Sequence, residues 1–210
     1  MVKVDCSQAS SAPSPFLEQL LFAHQATIKL IRNYPGVKLT QFSDSVVISS
    51  KLDPTPASFE AFLSIARSYQ LQLLKVGLLC RGGISYGKHF EDDTFLFSEA
   101  VIAAYRIESQ IAKFPRIVIS NDLMDLIYPD TKRPKFELIA FADDNEYFVD
   151  YIDTKNIETA KKFVFLNLNK VHPSAVREKF LWLARYLDIA SEKELEPIAP
   201  SSVRRGGIES

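Results

Sequence analysis

Two charged residues of this sequence have the chemistry that a phosphate site requires. Asp44 lies beside the tip of a predicted hairpin, and aspartate oxygens are ligands that Mg²⁺ and Mn²⁺ prefer. Arg106 lies in a predicted helix, and a guanidinium offers a fork of donors to oxygens on which negative charge accumulates. Between them, Arg81–Gly87 combines an arginine with three glycines, although Arg81 could equally be structural, with its stem packed on a sheet and its head in solvent. These residue types are compatible with metal-assisted chemistry on a phosphate ester.

Asp44 and Arg106 each have an alternative explanation that needs no ligand. Serine and aspartate are both common in turns, so Ser43 and Asp44 could simply form the hairpin turn. Arg106 could make a surface ion pair with Glu99 or Glu108, two glutamates of the same predicted helix. The sequence leaves both explanations open.

Hydrophobic periodicity and turn residues predict the elements that position these residues. The β-branched run Val46–Ile48 favours a strand directly after Asp44, and the strand before it completes a hairpin. The predicted elements, in order, are a helix Pro15–Arg32, strands Val37–Thr40 and Ser45–Ser49, a helix Ser58–Leu71, a buried strand or bent hairpin within Leu73–Tyr86, an acidic loop His89–Thr94, a helix Ser98–Ala112, a strand Arg116–Ile119, a short helix from Ser120 to Ile127, a hairpin Phe136–Phe141 and Tyr147–Tyr151, and a helix Ser174–Leu187.

The order of these elements predicts an α/β fold of the α+β type. If a short strand Val2–Asp5 is added at the start, the order becomes β-α-β-β-α-β-α-β, a ferredoxin-like arrangement in which an antiparallel-rich sheet carries its helices on one face. The C-terminal hairpin and helix are additions to it. We expect one domain over residues 1–152, an extension with a helix over residues 153–190, and a flexible tail over residues 191–210.

Composition argues against several classes of protein. With 25 basic and 26 acidic side chains and a net charge of -1, no sequence-wide field attracts nucleic acid or anionic lipid, so neither is an expected partner. The two cysteines, Cys6 and Cys80, cannot build a disulfide framework. No apolar run reaches the roughly 20 residues that span a bilayer. We therefore expect a globular cytoplasmic protein with a packed core.

Three segments, taken in order, resemble the catalytic domain of class III nucleotidyl cyclases. Phe42–Ile48 is similar to that family's hairpin with an aspartate at its turn, Arg81–Gly87 to its Arg-x-Gly-Ile-x-x-Gly strand, and Val101–Ser109 to its Val-Asn-x-Ala-Ala-Arg-Leu-Glu helix. Pro115–Ser120 follows as the next strand does in the family, so the resemblance covers roughly residues 37–120. Within the family, the Ser-Asp at the hairpin, the Arg-Gly-Gly-Ile strand and the Ala-Tyr before the arginine look most like the short bacterial cyclases of the Pycsar antiphage systems.

The resemblance implies that residues 1–152 are a cyclase-like catalytic domain, with a specific reaction and a metal site. Pycsar cyclases make cyclic UMP or cyclic CMP from the triphosphate with release of pyrophosphate, and the product switches on a separate effector. By resemblance, Asp5 and Asp44 would hold two Mn²⁺ or Mg²⁺ ions. Here the sequence departs from the family pattern, because Val2–Val4 is shorter than the usual apolar strand and residues 6–10 contain no glycine.

The resemblance also implies which residues contact the nucleotide. Cys6, Ser7 and Ser43 would bind it. Independently of the resemblance, Ser7, Ser10 and Ser11 precede the first helix and could offer backbone N–H groups to the triphosphate, because a helix N-terminus is an anion site, or they could simply be an N-terminal linker. Thr40 and Phe95 stand where purine cyclases read the base, and neither is a purine-reading residue. A pyrimidine base is therefore compatible with the site.

Arg106 matches the family's transition-state arginine, a catalytic residue that reaches the α-phosphate across a dimer interface. The resemblance therefore implies a head-to-tail homodimer with shared active sites. Ile102 stands where purine cyclases have asparagine, and this difference removes a ribose contact. The alternative is a catalytically degenerate cyclase-like domain that serves as a nucleotide sensor or dimerisation module.

Overall fold

The chain has a mixed α/β fold in which an eight-stranded sheet carries the segments discussed above. The computed structural model describes residues 2–3, 14–92, 94–129, 136–153, 155–192 and 203–205. The helices are α1 (Pro15–Ile31), α2 (Pro56–Lys75), α3 (Glu99–Arg106), α4 (Asn121–Ile127), α5 (Ile157–Leu168) and α6 (Ser174–Glu192), with a π-helical turn (Ile107–Ile111) directly after α3. The strands are β1 (Val2–Lys3), β2 (Lys38–Phe42), β3 (Ser45–Ser49), β4 (Arg81–Ile84), β5 (His89–Glu91), β6 (Leu96–Ser98), β7 (Ile117–Ile119), β8 (Ile139–Ala142), β9 (Tyr147–Val149) and β10 (Val203–Arg205).

The large sheet has the strand order β10-β8-β9-β7-β4-β1-β3-β2. All neighbouring strands are antiparallel except β4 and β7, which are parallel. β1 lies in the middle of the sheet, where Val2 is opposite Val46 of β3 on one side and Gly82 of β4 on the other. The first strand suggested by the sequence therefore forms, and it joins the two halves of the sheet.

The hairpin predicted around Asp44 is formed by β2 and β3. Phe42 lies opposite Ser45, so Ser43 and Asp44 make a two-residue turn between them. Ser43 has a φ of 55°, the left-handed conformation that the favoured two-residue hairpin turns require at their first position. The β-branched residues that follow, Val46–Ile48, pair with β2, as their strand propensity predicts.

α2 is longer than predicted and takes in the start of the segment Leu73–Tyr86, which was expected to form a strand. Leu73 is fully buried on the apolar stripe of the helix. The helix ends at Lys75, and Gly77, which follows the cap residue, has a φ of 84°. The Leu78 N–H donates to Leu73 O at 2.9 Å and the Gly77 N–H to Leu74 O at 3.0 Å. This is a Schellman C-cap, which glycine adopts without a steric penalty. The predicted strand is therefore confined to β4.

Helices cover both faces of the sheet, so the expectation of helices on one face is wrong. All three residues of β7 are buried, which is typical of a strand enclosed on both sides. Ile117 and Ile119 face a core shared with α1, α2 and α4, whereas Val118 packs with Ile107 and Ala112 on the opposite face. The sequence of β7 explains this burial. A strand with only one covered face alternates apolar and polar residues, whereas the continuous apolar run of β7 needs cover on both faces.

The segment expected to be an acidic loop begins instead with a strand. β5 pairs with β6 in a separate two-stranded hairpin, where Phe90 lies opposite Phe97. Aromatic residues favour strands, and here a cross-strand aromatic pair outweighs the acidic composition of the segment. The expectation of a loop over His89–Thr94 is therefore wrong for its first half.

The C-terminal part contains two helices where one was predicted. α5 was not predicted, although Ala160 and Val164 are buried at helical spacing. α5 and α6 pack together, and Phe180 and Trp182 of α6 lie in a second core with Phe148 of β9. Three residues of the expected tail form β10, which pairs with β8 at the edge of the sheet. Among the described helices, none has the length and apolar character needed to cross a membrane.

Candidate active site

The turn of the β2–β3 hairpin lies next to the end of β1. In the sheet register, Lys3 is opposite Ser45, the residue that follows Asp44, and on its other side it is opposite Arg81. The backbone therefore leaves β1 alongside the hairpin turn that carries Asp44. The resemblance to class III cyclases implies such a placement for the first strand and the hairpin.

The Asp44 carboxylate is accessible to a ligand. Asp44 is partly buried, and no described residue makes a hydrogen bond or an ion pair with its carboxylate. An aspartate in this state can coordinate a hard divalent cation. Within the described part of the chain, however, no group of three or more His, Cys, Asp and Glu side chains could hold a metal. A set of three such side chains around an ion at Asp44 would therefore have to include residues beyond the described ones.

Asp5, Cys6 and Ser7, the other predicted site residues near the N-terminus, lie outside the described residues. The structure describes the chain again from Ser14, whose hydroxyl accepts a hydrogen bond from the Leu17 N–H at 3.2 Å and caps α1. The metal role of Asp5 and the nucleotide contacts of Cys6 and Ser7 stay predictions.

α3 lies directly on β4 because Gly83 has no side chain. A Cβ at this position would lie 2.5 Å from Ala104 O and 2.7 Å from Ile107 Cβ, and both distances are too short for real contacts. The second glycine of the Arg-Gly-Gly-Ile segment is therefore required by helix packing. This close approach fixes the helix that carries Arg106 on the sheet.

The π-helical turn after α3 buries Glu108 beside Arg81. Nε of Arg81 lies 2.9 Å from Oε1 of Glu108, whose side chain is 1% exposed. The head of Arg81 therefore pairs with a buried carboxylate, while the side chain stays 34% exposed, which is compatible with the structural alternative. Single π-helical turns within α-helices are uncommon and are frequent at functional sites.

Arg106 is the last residue of α3, and it is exposed. It forms no ion pair with any described residue, and Glu108 is engaged by Arg81 instead. In the described part of the chain, Arg106 therefore pairs with neither Glu99 nor Glu108. Within one chain, Arg106 and Asp44 also form no ion pair with each other.

Thr40 and Ser43 both belong to the β2–β3 hairpin. Thr40 lies opposite Val47, on the sheet face that points away from α1 and α2, and Lys38 lies on the same face. Ser43 is exposed in the turn, and its backbone oxygen accepts a hydrogen bond from Gln41 Nε2 at 3.2 Å. The structure therefore places both residues close in sequence and space to Asp44.

Phe95 lies in the turn between β5 and β6 and is 56% exposed. Asp92 shapes this turn, because its Oδ1 accepts the backbone N–H groups of Thr94 and Phe95, each at 2.8 Å. These hydrogen bonds, the one from Thr94 first, hold the pKa of Asp92 below its usual value. The Phe95 ring packs 6.2 Å from that of Phe90, centroid to centroid.

An exposed apolar surface on the β5–β6 hairpin and its neighbours was missed by sequence reasoning. Large apolar side chains are rarely grouped on a free surface, and such grouping marks interaction sites. The alternation of Phe95 and Phe97 with other residues was the signal available in the sequence. The exposed aromatic residues of the hairpin are Phe90, Phe95 and Phe97, and Tyr86, Ile102 and Tyr105 are exposed near it in the sequence.

A cavity of about 580 Å³ lies between β3 and β4, and sequence reasoning missed it. It lies toward the ends of these strands that are remote from the Asp44 turn, and Asp44 does not line it. Residues that line it include Ile48, Ser49, Phe62, Ile84, Ser85 and Ala100.

Comparisons with known proteins assign no family to the chain. No protein-family model matches it, and no curated protein matches it.

Proposed function

We propose that the chain is a nucleotidyl cyclase that converts UTP or CTP to the 3′,5′-cyclic monophosphate and pyrophosphate. The observation that carries the proposal is the pairing of Lys3 with Ser45, because it sets the end of β1 beside the turn that holds Asp44. Carboxylates at the ends of two neighbouring strands would lie side by side. The resemblance to class III cyclases implies this arrangement for Asp5 and Asp44.

The connection of the first four strands supports the same proposal. Their order along the chain is β1-α1-β2-β3-α2-β4, and they assemble as β4-β1-β3-β2 with every neighbouring pair antiparallel. This is a ferredoxin-like arrangement, which the cyclase resemblance leads us to expect. A fold alone names no reaction, so the proposal depends on the site residues.

The proposed reaction forms one bond and breaks one. The ribose 3′ oxygen attacks the α-phosphorus, the bond from that phosphorus to the oxygen of the β-phosphate breaks, and the hydroxyl proton passes to solvent. Asp5 and Asp44 would hold two Mn²⁺ or Mg²⁺ ions, which when bound supply activation of the hydroxyl and neutralisation of the triphosphate. The accessible carboxylate of Asp44 is compatible with this role.

Arg106 would act from a second copy of the chain, in a homodimer with shared sites. Its exposed guanidinium would donate to the oxygens of the α-phosphate, where negative charge increases in the transition state. Ile102 and Tyr105 are also exposed on α3, which supports contact between two copies through this face. The cyclic nucleotide would activate a separate effector, as in the antiphage systems that the sequence resembles.

The nucleotide would be bound by two groups of residues. Cys6, Ser7 and Ser43 would contact it beside the metal-binding carboxylates, and Thr40 and Phe95 would stand near the base. Thr40 of β2 stands where purine cyclases have a lysine that reads the base. Without that lysine, a pyrimidine is favoured.

The test is pyrophosphate release by the purified chain with Mn²⁺ and each of the four nucleoside triphosphates. We expect turnover of UTP or CTP and a loss of at least about a hundredfold in Asp44→Asn, because the ions lose a charged ligand. Asp143→Asn is the matched control, since Asp143 is exposed in the turn of the β8–β9 hairpin. Release from none of the four substrates, or full activity of Asp44→Asn, would overturn the proposal.

A degenerate cyclase-like domain is the second candidate, and Ile102 is the observation that favours it. Its side chain is 47% exposed and offers no hydrogen bond where purine cyclases present asparagine to the ribose. Calorimetric binding of UTP or CTP without any pyrophosphate release would support this candidate over the enzyme.

A further inference from the structure

We propose that the C-terminal end of α5 is a peripheral binding surface for an anionic lipid membrane. Phe165 is 67% exposed, Leu166 is 52% exposed and Val171 is fully exposed. Large apolar side chains grouped on a free surface mark an interaction site. The group, called here the α5 surface, consists of Lys162, Phe165, Leu166, Lys170 and Val171.

Helical spacing puts the three α5 members of this surface on the side that faces away from the core. Phe165 and Leu166 follow Lys162 by three and four residues, so the three side chains are neighbours on one face. Ala160 and Val164, which are four residues apart, form the buried face that packs in the core shared with α6. The two sets lie on opposite sides of the helix, so the α5 surface is turned to solvent.

Positive charge is concentrated around these apolar side chains. The segment 155–179 contains six basic and two acidic side chains, in a chain whose net charge is -1. One of the basic side chains, Arg177, is held at the end of α5, because its Nη1 donates to Leu168 O at 3.1 Å. The near-neutral balance of the whole chain therefore conceals a local excess of positive charge, which is typical of a surface that binds anionic lipid.

The two lysines of the α5 surface keep their charge available. Lys162 makes no ion pair with any described residue. The Nζ of Lys170 donates to the neutral Oδ1 of Asn167 at 3.3 Å, so this contact leaves the ammonium charge uncompensated. Each basic side chain close to an anionic lipid surface strengthens binding by about fivefold.

This combination of side chains favours a membrane over other partners. Exposed phenylalanine and leucine side chains enter the boundary between headgroups and acyl chains, while lysines beside them reach the anionic headgroups. A second copy of the chain docked through the same face would bring the basic residues together, and like charges repel. A nucleic acid would meet Leu166 and Val171, whose aliphatic side chains offer no ring on which a base can stack.

The α5 surface is remote from the candidate active site. α5 shares its core with residues of β8 and β9, whereas Asp44 lies in the turn between β2 and β3, at the other edge of the sheet. The proposal therefore does not depend on cyclase activity.

The test is sedimentation of the full chain with two kinds of vesicle. One contains one part phosphatidylserine to two parts phosphatidylcholine, and the other contains phosphatidylcholine alone. We expect binding to the anionic vesicles only. Most of this binding should be lost at about 0.5 M NaCl, because salt screens the attraction between the lysines and the headgroups.

Substitutions in the α5 surface, with matched controls on α1, locate the contact. Phe165→Ser should weaken binding to the anionic vesicles by about tenfold, because the ring no longer enters the lipid. Lys162→Glu should weaken it by about twentyfold, because one positive charge is replaced by a negative one. The controls Phe22→Ser and Lys29→Glu change exposed residues of α1, and each should change binding by less than about twofold.

Further measurements keep the result independent of folding. Circular dichroism verifies that each variant folds, and Lys170→Glu repeats the charge reversal outside the helix. No binding to the anionic vesicles, equal binding to the neutral ones, or an equal loss in the α1 controls would overturn the proposal. Binding to polyglutamate without binding to vesicles would also overturn it and would indicate an acidic protein partner.

Discussion

Arg116 is completely buried and forms a two-point ion pair with Asp144, whose side chain is 47% exposed. Nη1 donates to Oδ1 at 2.9 Å, and Nη2 donates to Oδ2. The rings of Phe114, Phe148 and Trp182 each lie with their centroid 5.8 Å from Cζ of the arginine. The pair connects the segment before β7 with the turn of the β8–β9 hairpin, and it neutralises a charge that lies among aromatic rings.

Asp144→Asn should lower the free energy of unfolding by about 2 kcal/mol, because it leaves a buried guanidinium without a countercharge. The value is smaller than for a wholly buried pair because the carboxylate is partly in solvent. Urea denaturation measures the change. Asp143→Asn, one residue away and exposed, is the control and should change stability by less than about 0.5 kcal/mol. An equal effect of the two substitutions would contradict this explanation.

Tyr186→Phe should also destabilise the fold, by about 2 kcal/mol, because it removes one hydroxyl that serves three backbone and side-chain groups. The hydroxyl oxygen accepts the N–H groups of Tyr151 at 3.0 Å and Ile152 at 3.2 Å, and the hydroxyl donates to Asp150. Thermal and urea unfolding measure the loss. Tyr105→Phe, which removes an exposed hydroxyl, provides the comparison, and a Tyr186→Phe protein as stable as Tyr105→Phe would refute the assignment.

Mixing two inactive variants should restore cyclase activity if the site is shared between chains. Asp44→Asn and Arg106→Ala impair different halves of one site, so a mixed dimer contains one intact site and one doubly damaged site. Recovery should approach about a quarter of the native rate, because half of the dimers are mixed. Asp44→Asn mixed with Asp5→Asn should recover nothing, since both changes fall in the same half. Recovery in neither mixture would argue against a shared site.

The thiol of Cys80 should resist alkylation in the folded protein. Burial raises its pKa from the usual 9.0 to about 12, so almost no thiolate exists at pH 8. Below pH 9.0 the thiol is protonated in both the folded and the unfolded protein. Between pH 9.0 and about 12 only the unfolded protein loses the proton, so the stability of the fold falls as the pH rises through this range. Iodoacetamide labelling of a Cys6→Ser protein, with and without urea, measures the difference by mass spectrometry. Equal labelling rates in the two conditions would show that Cys80 is accessible.

Local sequence signals predicted the elements that carry the candidate site. The hairpin around Asp44 follows from β-branched residues on one side of a turn-forming pair, and the cap of α4 follows from Ser120, whose hydroxyl accepts the Leu123 N–H at 3.3 Å. These signals act over a few residues. Sequence reasoning therefore works where a segment specifies its own conformation.

Relationships between distant segments could not be predicted in the same way. The pairing of Val2 with both Val46 and Gly82 depends on three separate segments meeting, and a two-residue strand has almost no local signal. The burial of Glu108 beside Arg81 likewise depends on the approach of α3 to Gly83. The cavity is a product of assembly, and no periodicity in one segment indicates it.

The central position of β1 has a mechanical consequence. In the described sheet β3 and β4 do not pair directly, so four residue pairs, all made by Val2 and Lys3, join the β2–β3 hairpin to the other strands. Each side of this joint has only two pairs, as few as in any ladder of the described sheet, whereas the β2–β3 hairpin has five. A force applied through the N-terminus would therefore tear the sheet along β1, and the two halves would separate while the longer ladders on either side stayed intact.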